Sequence, residues 1–332
     1  MTKAIEMIRE AEELSKAGTG IDGDAALAIA ALPDSRIYEV LAATKAVTEH
    51  YKGTEVNLCG IVSAKSGLCK EDCSFCSQST AFDTDAEEYP MAEPEEIVSA
   101  ALEAEKNGAR EFSIVTSGTK VAKGGDLSKL TTALREMKDK TDMERCASLG
   151  NMDEDAMREL KEAGLESYHH NLETGRSFFP TICTTHEYDE DVDTIKRAKK
   201  LGFYTCSGGI FGLGETWEDR IELIETLREL DVDCVPINFL NPRPGTPLEK
   251  AKNLTPIECL KIIAVTRLML PKKDIIICGG REVNLRDLQP LIFAAGANGM
   301  MVGNYLTTTG RAAEDDLKML EDLGLKPKAS HG

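Results

Sequence analysis

The stretch Val56-Asn-Leu-Cys-Gly-Ile-Val-Ser-Ala-Lys-Ser-Gly-Leu-Cys-Lys-Glu-Asp-Cys-Ser-Phe-Cys76 begins with a short apolar run and ends in a loop with three cysteines. A run of this length between polar residues is typical of a buried strand. In parallel α/β barrels, the loops after the strands carry the functional groups. The stretch therefore predicts a strand that leads directly into a functional loop.

The same arrangement recurs along the chain as an apolar run, a loop, an amphipathic helix and a glycine. Pro94 suits the first turn of one such helix and Gly108 follows its end, and Gly164 and Gly202 follow the ends of two others. Eight such units over about 250 residues favour an α/β fold, a (β/α)8 TIM-type barrel, with an open doubly wound sheet as the alternative. The strand candidates are residues 56–62, 111–115, 145–149, 166–172, 203–210, 234–240, 274–278 and 299–302.

The chain divides into three predicted regions. Residues 1–52 are polar and Ala-rich, which predicts an N-terminal helical extension. Residues 53–325 carry the repeating units and form the barrel, and residues 326–332 form a C-terminal tail. No G-x-G-x-x-G motif follows a strand candidate, so a dinucleotide-binding fingerprint is missing.

Composition narrows the class of protein further. The 332 residues carry a formal net charge of −18, which disfavours nucleic acid and anionic membrane surfaces as partners. No apolar run approaches the ~18 residues of a membrane span, and the N-terminus lacks the apolar core of a secretory signal. We therefore expect a cytoplasmic protein whose ten cysteines serve metal binding or redox chemistry rather than disulfides.

The three-cysteine loop has the spacing Cys69-x3-Cys73-x2-Cys76. Three thiolates this close together can hold one face of a four-iron cluster, which normally takes four thiolates. Since no fourth cysteine is near in sequence, one iron stays open for a small ligand. A structural zinc ion is the alternative, but it needs four ligands, and no second Cys-x2-Cys motif or paired histidine accompanies the loop.

The loop, placed after the first barrel strand, resembles the hallmark of the radical S-adenosylmethionine (SAM) superfamily. Further segments resemble the biotin synthase family, in the family's order from about residue 40 to residue 325. These segments are Gly67 to Ser79, Tyr168-His-His-Asn-Leu-Glu-Thr174, Cys206-Ser-Gly-Gly-Ile-Phe-Gly-Leu-Gly-Glu-Thr216, Val235-Pro-Ile-Asn238 and Gly279-Gly-Arg-Glu282.

The resemblance implies an activity and its cofactors. In the family, a [4Fe–4S] cluster reductively cleaves SAM to methionine and a 5′-deoxyadenosyl radical, which removes hydrogen from dethiobiotin. Sulfur from an auxiliary iron–sulfur cluster then closes the ring of biotin. The implied partners are dethiobiotin, an electron donor such as flavodoxin or ferredoxin, and a second copy of the chain in a homodimer. Both clusters are expected to be oxygen-sensitive, which fits an anaerobic host.

Family positions also imply roles for particular residues. Cys69, Cys73 and Cys76 match the ligands of the first cluster. Asn238 matches a contact to the ureido ring of dethiobiotin, as does His169, which stands where better-known members have Asn. The family positions that contact SAM correspond in this sequence to Phe75, Ser117, Asn171, Glu173 and Ile210. Glu173 stands where the family usually has Asp.

The auxiliary cluster departs from the familiar pattern of three cysteines and one arginine. Cys146 and Cys206 are present, but Ser113 replaces the third cysteine and Ile276 the arginine. Cysteines on four odd-numbered strand candidates are able to lie at one level around the barrel axis, since alternate strands build each layer. We therefore predict a four-iron auxiliary cluster, in preference to [2Fe–2S], on Cys59, Cys146, Cys206 and Cys278.

The remaining cysteines have other interpretations. Cys234, on the sixth strand candidate, is an additional possible ligand, and Cys183 and Cys259 are interpreted as structural. The alternative for the inner cysteines is ordinary burial, a common fate of free cysteine. Two competing functions are another radical SAM enzyme, such as the hydrogenase-maturation enzyme, and an iron–sulfur electron carrier.

Overall fold

The computed structural model describes residues 2–303, 305 and 310–328, and its strands form one parallel sheet. The strands are β1 (Glu55–Lys65), β2 (Glu111–Thr116), β3 (Glu144–Ser148), β4 (Ser167–His169), β5 (Tyr204–Cys206), β6 (Gly209–Phe211), β7 (Cys234–Phe239), β8 (Asp274–Ile277), β9 (Gly299–Met301) and β10 (Lys326–Pro327). Their order is β10-β1-β2-β3-β4-β5-β7-β8-β9, with β6 beside β7. Because β1 also pairs with β9, the sheet closes into a barrel.

The structure confirms the predicted (β/α)8 barrel and a strand at each of the eight predicted positions. The fifth candidate, residues 203–210, is split into β5 and β6, which both pair with β7. A Cβ atom on Gly208, between them, would lie 1.9 Å from the carbonyl oxygen of Pro236 on β7. The break therefore needs glycine, because no side chain fits this close approach of two backbones.

Helices surround the barrel, and three of them begin with reciprocal capping boxes: Glu93 with Glu96, Glu187 with Glu190, and Thr216 with Asp219. Within the described part of the chain, no helix combines the length and apolar composition that a membrane crossing requires. The α-helices are α1 (Thr2–Lys16), α2 (Gly23–Ala30), α3 (Ile37–Lys52), α4 (Pro94–Lys106), α5 (Gly125–Lys140), α6 (Glu154–Glu162), α7 (Tyr188–Lys200), α8 (Trp217–Glu229), α9 (Pro256–Met269), α10 (Arg281–Leu285), α11 (Ile292–Ala295) and α12 (Ala313–Asp322).

Helices α1 to α3 precede the first strand and pack against α9. The Ser15 hydroxyl donates to the carbonyl of Leu268 over 2.9 Å, which ties α1 to the end of α9. Beside it, the buried guanidinium of Arg267 donates to backbone carbonyls, including that of Gly296 at 2.8 Å and that of Lys273 at 2.7 Å. These contacts satisfy a buried cation without an acidic partner at that point. The division into extension and barrel stays a prediction.

The last described residues return to the start of the barrel. Lys326 and Pro327 of β10 pair with Glu55 and Val56 of β1, and the Lys328 amide donates to the carbonyl of Val56 over 2.8 Å. The predicted tail thus begins as a short paired strand. Residues 329–332 lie outside the described residues.

Replacing Gly208 with alanine should destabilise the protein by about 2–3 kcal/mol, because the new methyl group would force β5, β6 and β7 apart. Gly125→Ala is the matched control. No atom lies within 4 Å of a Cβ there, and its φ is not positive, so its effect should stay within about 0.5 kcal/mol. The measurement is urea unfolding of both variants. Equal midpoints for the two variants would show that the close approach is not a real constraint.

Candidate active site

A cavity of about 460 Å³ runs from the loops after the strands into the barrel. It brings together all but one of the residues predicted from the sequence to form the site. The exception is Cys146, which is buried behind the cavity wall. The predicted residues that line the cavity are Cys59, Cys69, Cys73, Phe75, Cys76, Ser117, His169, Asn171, Glu173, Cys206, Ile210, Asn238 and Cys278.

The three-cysteine loop is held in a compact turn at the outer end of the cavity. The Cys69 amide donates to the carbonyl of Gln78 over 3.1 Å, and the Cys76 amide donates to the carbonyl of Cys73 over 2.9 Å. The Ser117 hydroxyl, after β2, donates to the carbonyl of Gly67 over 2.7 Å. The three thiols are half-buried on one wall. A donor set of three thiols beside open space fits a cluster with one free iron.

A chain of polar side chains follows β4 along the middle of the cavity. His169 Nε2 lies 2.9 Å from Asn171 Oδ1, and Asn171 Nδ2 donates to Glu173 Oε2 over 3.3 Å. Burial raises the pKa of Glu173 to about 8 and lowers the pKa of His169. Both groups therefore favour their neutral forms at neutral pH. Neutral donors and acceptors suit ribose hydroxyls and a cyclic urea.

Glu173 also has an unusual backbone conformation, with a φ of +65°. Its amide donates to the carbonyl of Gly208, and its carbonyl accepts from the amide of Ile210 over 2.8 Å. The broken strand around Gly208 thus fixes the turn that carries Glu173. Left-handed backbone at a non-glycine residue is concentrated at functional sites.

Asn238, at the end of β7, is engaged by the backbone on both sides. Its Oδ1 accepts from the Gly279 amide over 2.9 Å, and its Nδ2 donates to the carbonyl of Gly209 over 3.4 Å. A side-chain amide has two N–H donors, so one remains for a ligand. The residue therefore has a structural role, and its predicted contact to a ureido ring stays a prediction.

Five cysteines lie together inside the barrel, which is one more than the predicted set. Cys206 pairs directly with Cys234 across β5 and β7, and both pack with Ile276 and Cys278. Cys59 lies opposite Met301, which contacts the same group. Four of these cysteines are the predicted ones, and Cys234 joins them. The exposed fractions are 7% for Cys59, 1% for Cys146, 6% for Cys206, 1% for Cys234 and 5% for Cys278.

Burial controls the protonation of these inner thiols. It raises the pKa of Cys59 well above the usual thiol value, and Glu111 and the neighbouring thiols raise it further. Burial also raises the pKa of Cys146 and of Cys278. A hydrogen bond with Cys234, together with burial, raises the pKa of Cys206. Metal binding at these positions must therefore release protons.

Hydroxyl groups near the inner thiols have few hydrogen-bond partners. Ser113 and Ser167 are the strand partners of Cys146, on either side of it, and their hydroxyls interact with its thiol and partly offset the rise in its pKa caused by burial. Within the described residues, they have no further hydrogen-bond partner, and Ser207 beside Cys206 has none. Buried hydroxyls without partners are costly unless something else fills the site. The sulfide ions of an iron–sulfur cluster between these strands would offer hydrogen-bond acceptors to the hydroxyls, so the residues fit an auxiliary cluster.

Glu111 is an inner residue that sequence reasoning missed. It is the strand partner of Cys59, is 4% exposed, and accepts from Asn57 Nδ2 over 3.3 Å. Burial, reinforced by the nearby Glu144 carboxylate, raises the pKa of Glu111 to about 7. The only sequence signal was an acidic residue opening an otherwise apolar strand.

Sequence reasoning also missed a polar cluster behind the cysteine loop. Cys183, interpreted as structural, lies with its Sγ 3.9 Å from the Sγ of Cys73 and 3.3 Å from His186 Nδ1. Glu71 Oε2 lies 2.8 Å from the same imidazole nitrogen. On the other side of the ring, His186 Nε2 lies 3.2 Å from Asp191 Oδ2. The spacing Cys183-x2-His186 was the available signal.

This cluster alternates opposite charges. The hydrogen bond to Asp191 raises the pKa of His186 to about 10 despite burial, and Glu71 adds to the shift. Hydrogen bonds from Cys73 and Thr185 lower the pKa of Cys183 to about 6, although burial opposes them. The thiol of Cys183 is therefore acidic, and it lies next to the positively charged imidazole of His186.

The closed parallel barrel and the three-cysteine loop define a radical SAM enzyme. Residues 65–227 match the model of the Radical SAM superfamily. Residues 236–326 match the model of the Biotin and Thiamin Synthesis associated domain.

Curated relatives identify the family more closely. The biotin synthase of Geotalea daltonii is 56% identical over 300 residues, which cover 90% of this chain and 91% of the relative. The biotin synthase of Pelobacter propionicus is 53% identical over 308 residues, which cover 93% and 94%. The chain belongs to the biotin synthase family. Membership brings a SAM-binding [4Fe–4S] cluster, SAM and an auxiliary iron–sulfur cluster as cofactors.

Solved structures are similar in fold at low sequence identity. A methylornithine synthase has a TM-score of 0.82 at 22% identity, covering 96% of this chain and 98% of that one. A maturase of the [FeFe]-hydrogenase has a TM-score of 0.82 at 15% identity, covering 98% and 77%. These values show a shared fold. The maturase alternative therefore gains no functional support from this likeness.

In the chain without clusters, Cys183 should be alkylated by iodoacetamide at a rate that falls as the pH drops below about 6, because the thiolate is the nucleophile. Cys259, buried in α9 with a pKa raised by burial to about 12, is the internal control and should stay unmodified. Peptide mass spectrometry measures both rates. A Cys183 rate that falls already between pH 9 and 8 would contradict the assigned thiolate.

Proposed function

We propose that this chain forms biotin by inserting sulfur into dethiobiotin, using SAM and an auxiliary cluster whose donor set favours the four-iron type. The observation that carries the proposal is that one cavity joins the three loop cysteines to the buried thiols of Cys59, Cys206 and Cys278. The substrate must lie between the two sets. The length of the cavity and the polar chain along its middle support this placement.

The clusters and SAM supply the electron, the hydrogen-abstracting group and the sulfur when they are bound. Cys69, Cys73 and Cys76 would hold the first cluster. Ser117 secures the loop through the carbonyl of Gly67, so the three thiols keep one arrangement. Phe75 lies on the same cavity wall, where its ring is suited to pack beside an adenosyl group.

The residues after β4 and β5 would hold the nucleoside part of SAM. Asn171 and Glu173 offer an amide and a neutral carboxyl to the ribose hydroxyls. Ile210 pairs with Asn238 across β6 and β7 and contributes an apolar surface for adenine. The backbone of Glu173 is held by the backbone around Gly208. The side chain of Glu173, which is longer than that of the Asp usual at this position, therefore extends from a fixed backbone position.

His169 and Asn238 would bind the ureido ring of dethiobiotin. Both line the cavity, between the loop cysteines and the inner thiols. His169 is kept neutral by burial, and Asn238 retains one N–H donor after its two backbone contacts. A cyclic urea presents a carbonyl acceptor and two N–H donors, which match neutral amide and imidazole groups.

The proposed ligands of the auxiliary cluster are Cys59, Cys146, Cys206 and Cys278, and the cluster would donate sulfur, including an extra sulfide. Ser113 lacks a thiol, and Ile276 carries no donor atom. The hydroxyls of Ser113 and Ser167 beside the Cys146 thiol, and the Ser207 hydroxyl without a partner among the described residues, support a sulfide-containing group between the strands. Cys234, hydrogen-bonded to Cys206, is the candidate to replace one of the four.

Several partners belong to the proposal. The electron donor is a flavodoxin or ferredoxin, the chain forms a homodimer, and the reaction takes place in the cytoplasm. All ten cysteines are free of disulfides, which supports a reducing compartment.

Product analysis tests the reaction directly. Anaerobic incubation with dithionite, SAM and dethiobiotin should yield biotin and 5′-deoxyadenosine, and dethiobiotin should increase the yield of 5′-deoxyadenosine. Cys76→Ala should abolish both products because it removes a ligand of the first cluster. Cys259→Ala, which alters a buried cysteine outside the cavity, should preserve them. Liquid chromatography with mass spectrometry measures both compounds.

Two results would replace this function with another. Formation of 5′-deoxyadenosine without biotin, and without a response to dethiobiotin, would indicate a different radical SAM reaction. No 5′-deoxyadenosine at all would favour the electron carrier.

Iron analysis tests the auxiliary cluster. Anaerobic reconstitution should load about eight irons per chain if both clusters are of the four-iron type, whereas about six would indicate a [2Fe–2S] auxiliary cluster. Cys59→Ala and Cys278→Ala should each change the Mössbauer signal of the auxiliary cluster and leave the signal of the first cluster intact. Cys259→Ala is the control and should change neither. If both inner variants keep the auxiliary signal, the ligand set is wrong.

A further inference from the structure

We propose that the chain, before its clusters are built, binds one divalent transition-metal ion such as Zn²⁺ or Fe²⁺ between Glu71, Cys183 and His186. The ligand atoms of the three residues all lie within 4.8 Å of one another. None of the three has a part in the proposed sulfur insertion. The inference concerns the cluster-free chain and does not depend on which substrate the enzyme uses.

The distances match a tetrahedral site. Metal–sulfur bonds of about 2.3 Å and metal–nitrogen bonds of about 2.0 Å place two sulfur ligands about 3.8 Å apart and a sulfur and a nitrogen about 3.5 Å apart. Cys183 Sγ lies 3.3 Å from His186 Nδ1, close to this sulfur–nitrogen separation. Glu71 Oε2 lies 2.8 Å from the same nitrogen, so a metal ion would replace the hydrogen bond between them and move the two atoms slightly apart.

The imidazole of His186 is oriented as in metal sites. Its second nitrogen, Nε2, lies 3.2 Å from Asp191 Oδ2, and the other oxygen of that carboxylate lies 2.8 Å from His170 Nε2. A carboxylate behind a ligating histidine fixes the ring and the tautomer, and is the usual partner of metal-bound histidine. Asp191 is 3% exposed, so this support is built into the protein interior.

The other ligands are also held in place. The Glu71 carboxylate accepts from the hydroxyls of Thr119 and Thr185. Asp72, next in the chain, accepts from the amide of Thr184 over 2.8 Å, which ties the cysteine loop to the Cys183-x2-His186 turn. The two segments therefore hold their donors close to each other. One sulfur, one nitrogen and one oxygen suit zinc or ferrous iron rather than magnesium or calcium.

Cys73 Sγ, a proposed cluster ligand, lies 3.9 Å from Cys183 Sγ, so an ion bound through Cys183 would lie directly beside the first cluster and compete with it for space. The site therefore belongs to the chain before cluster assembly. In that state the chain holds a single metal ion beside the loop that later binds the first cluster.

Cobalt binding tests the proposal. In a Cys69→Ala/Cys76→Ala background the loop cluster cannot form, while Cys73 and Cys183 remain. We expect this chain to bind one more Co²⁺ when Cys259→Ala is added than when Cys183→Ala is added. The extra ion should show thiolate charge-transfer absorption and intense tetrahedral bands. The inner thiols contribute equally to both chains, so the difference spectrum isolates the site.

Asp191→Asn tests the supporting shell, and it should weaken Co²⁺ binding by about 10–100-fold while keeping the stoichiometry. If the double-alanine background does not fold, as judged by circular dichroism, the same comparison is made in the cluster-free wild-type sequence with Cys183→Ala and Cys259→Ala. Equal Co²⁺ stoichiometry and equal spectra for the Cys183 and Cys259 variants would overturn the proposal.

Discussion

Closure of the barrel between β1 and β9 is the constraint on which both cysteine sets depend. The pairing of Cys59 with Met301 joins the first strand to the last, and the interior then holds cysteines from β1, β3, β5, β7 and the end of β8. The same closure aims the loop after β1 at the mouth of the cavity. In an open sheet the inner cysteines would be spread along one face, so they would not converge around an axis.

The break in the fifth strand position links the two sets. Gly208 presses against the carbonyl of Pro236, and the backbone on either side engages Glu173 and Asn171. Cys206 ends the inner half of this strand and Ile210 lies in the outer half. One irregular strand therefore contributes both the buried thiol of Cys206 and the apolar side chain of Ile210 to the cavity.

The sequence predicted the barrel, the loop and the inner cysteines because each rests on a repeating or local pattern. Strand alternation and the Cys69-x3-Cys73-x2-Cys76 spacing are visible along the chain. The contact of Cys183 with Cys73 was not predicted because the two residues are distant in sequence, and only the folded chain brings them together. The spacing Cys183-x2-His186 is not a pair of cysteines or a pair of histidines, so it does not match the common zinc-ligand patterns. Glu111 was missed because strand patterns do not reveal which buried position faces the axis.

The two ends of the cavity handle buried charge in different ways. At the outer end, the acidic groups Glu71 and Asp191 lie on either side of the His186 imidazolium, which in turn stabilises the Cys183 thiolate. At the inner end, burial keeps the thiols protonated and brings the pKa of Glu111 to about 7. A metal ion entering the cavity thus meets a preformed anionic ligand at the mouth, whereas the inner thiols must lose protons into an enclosed space.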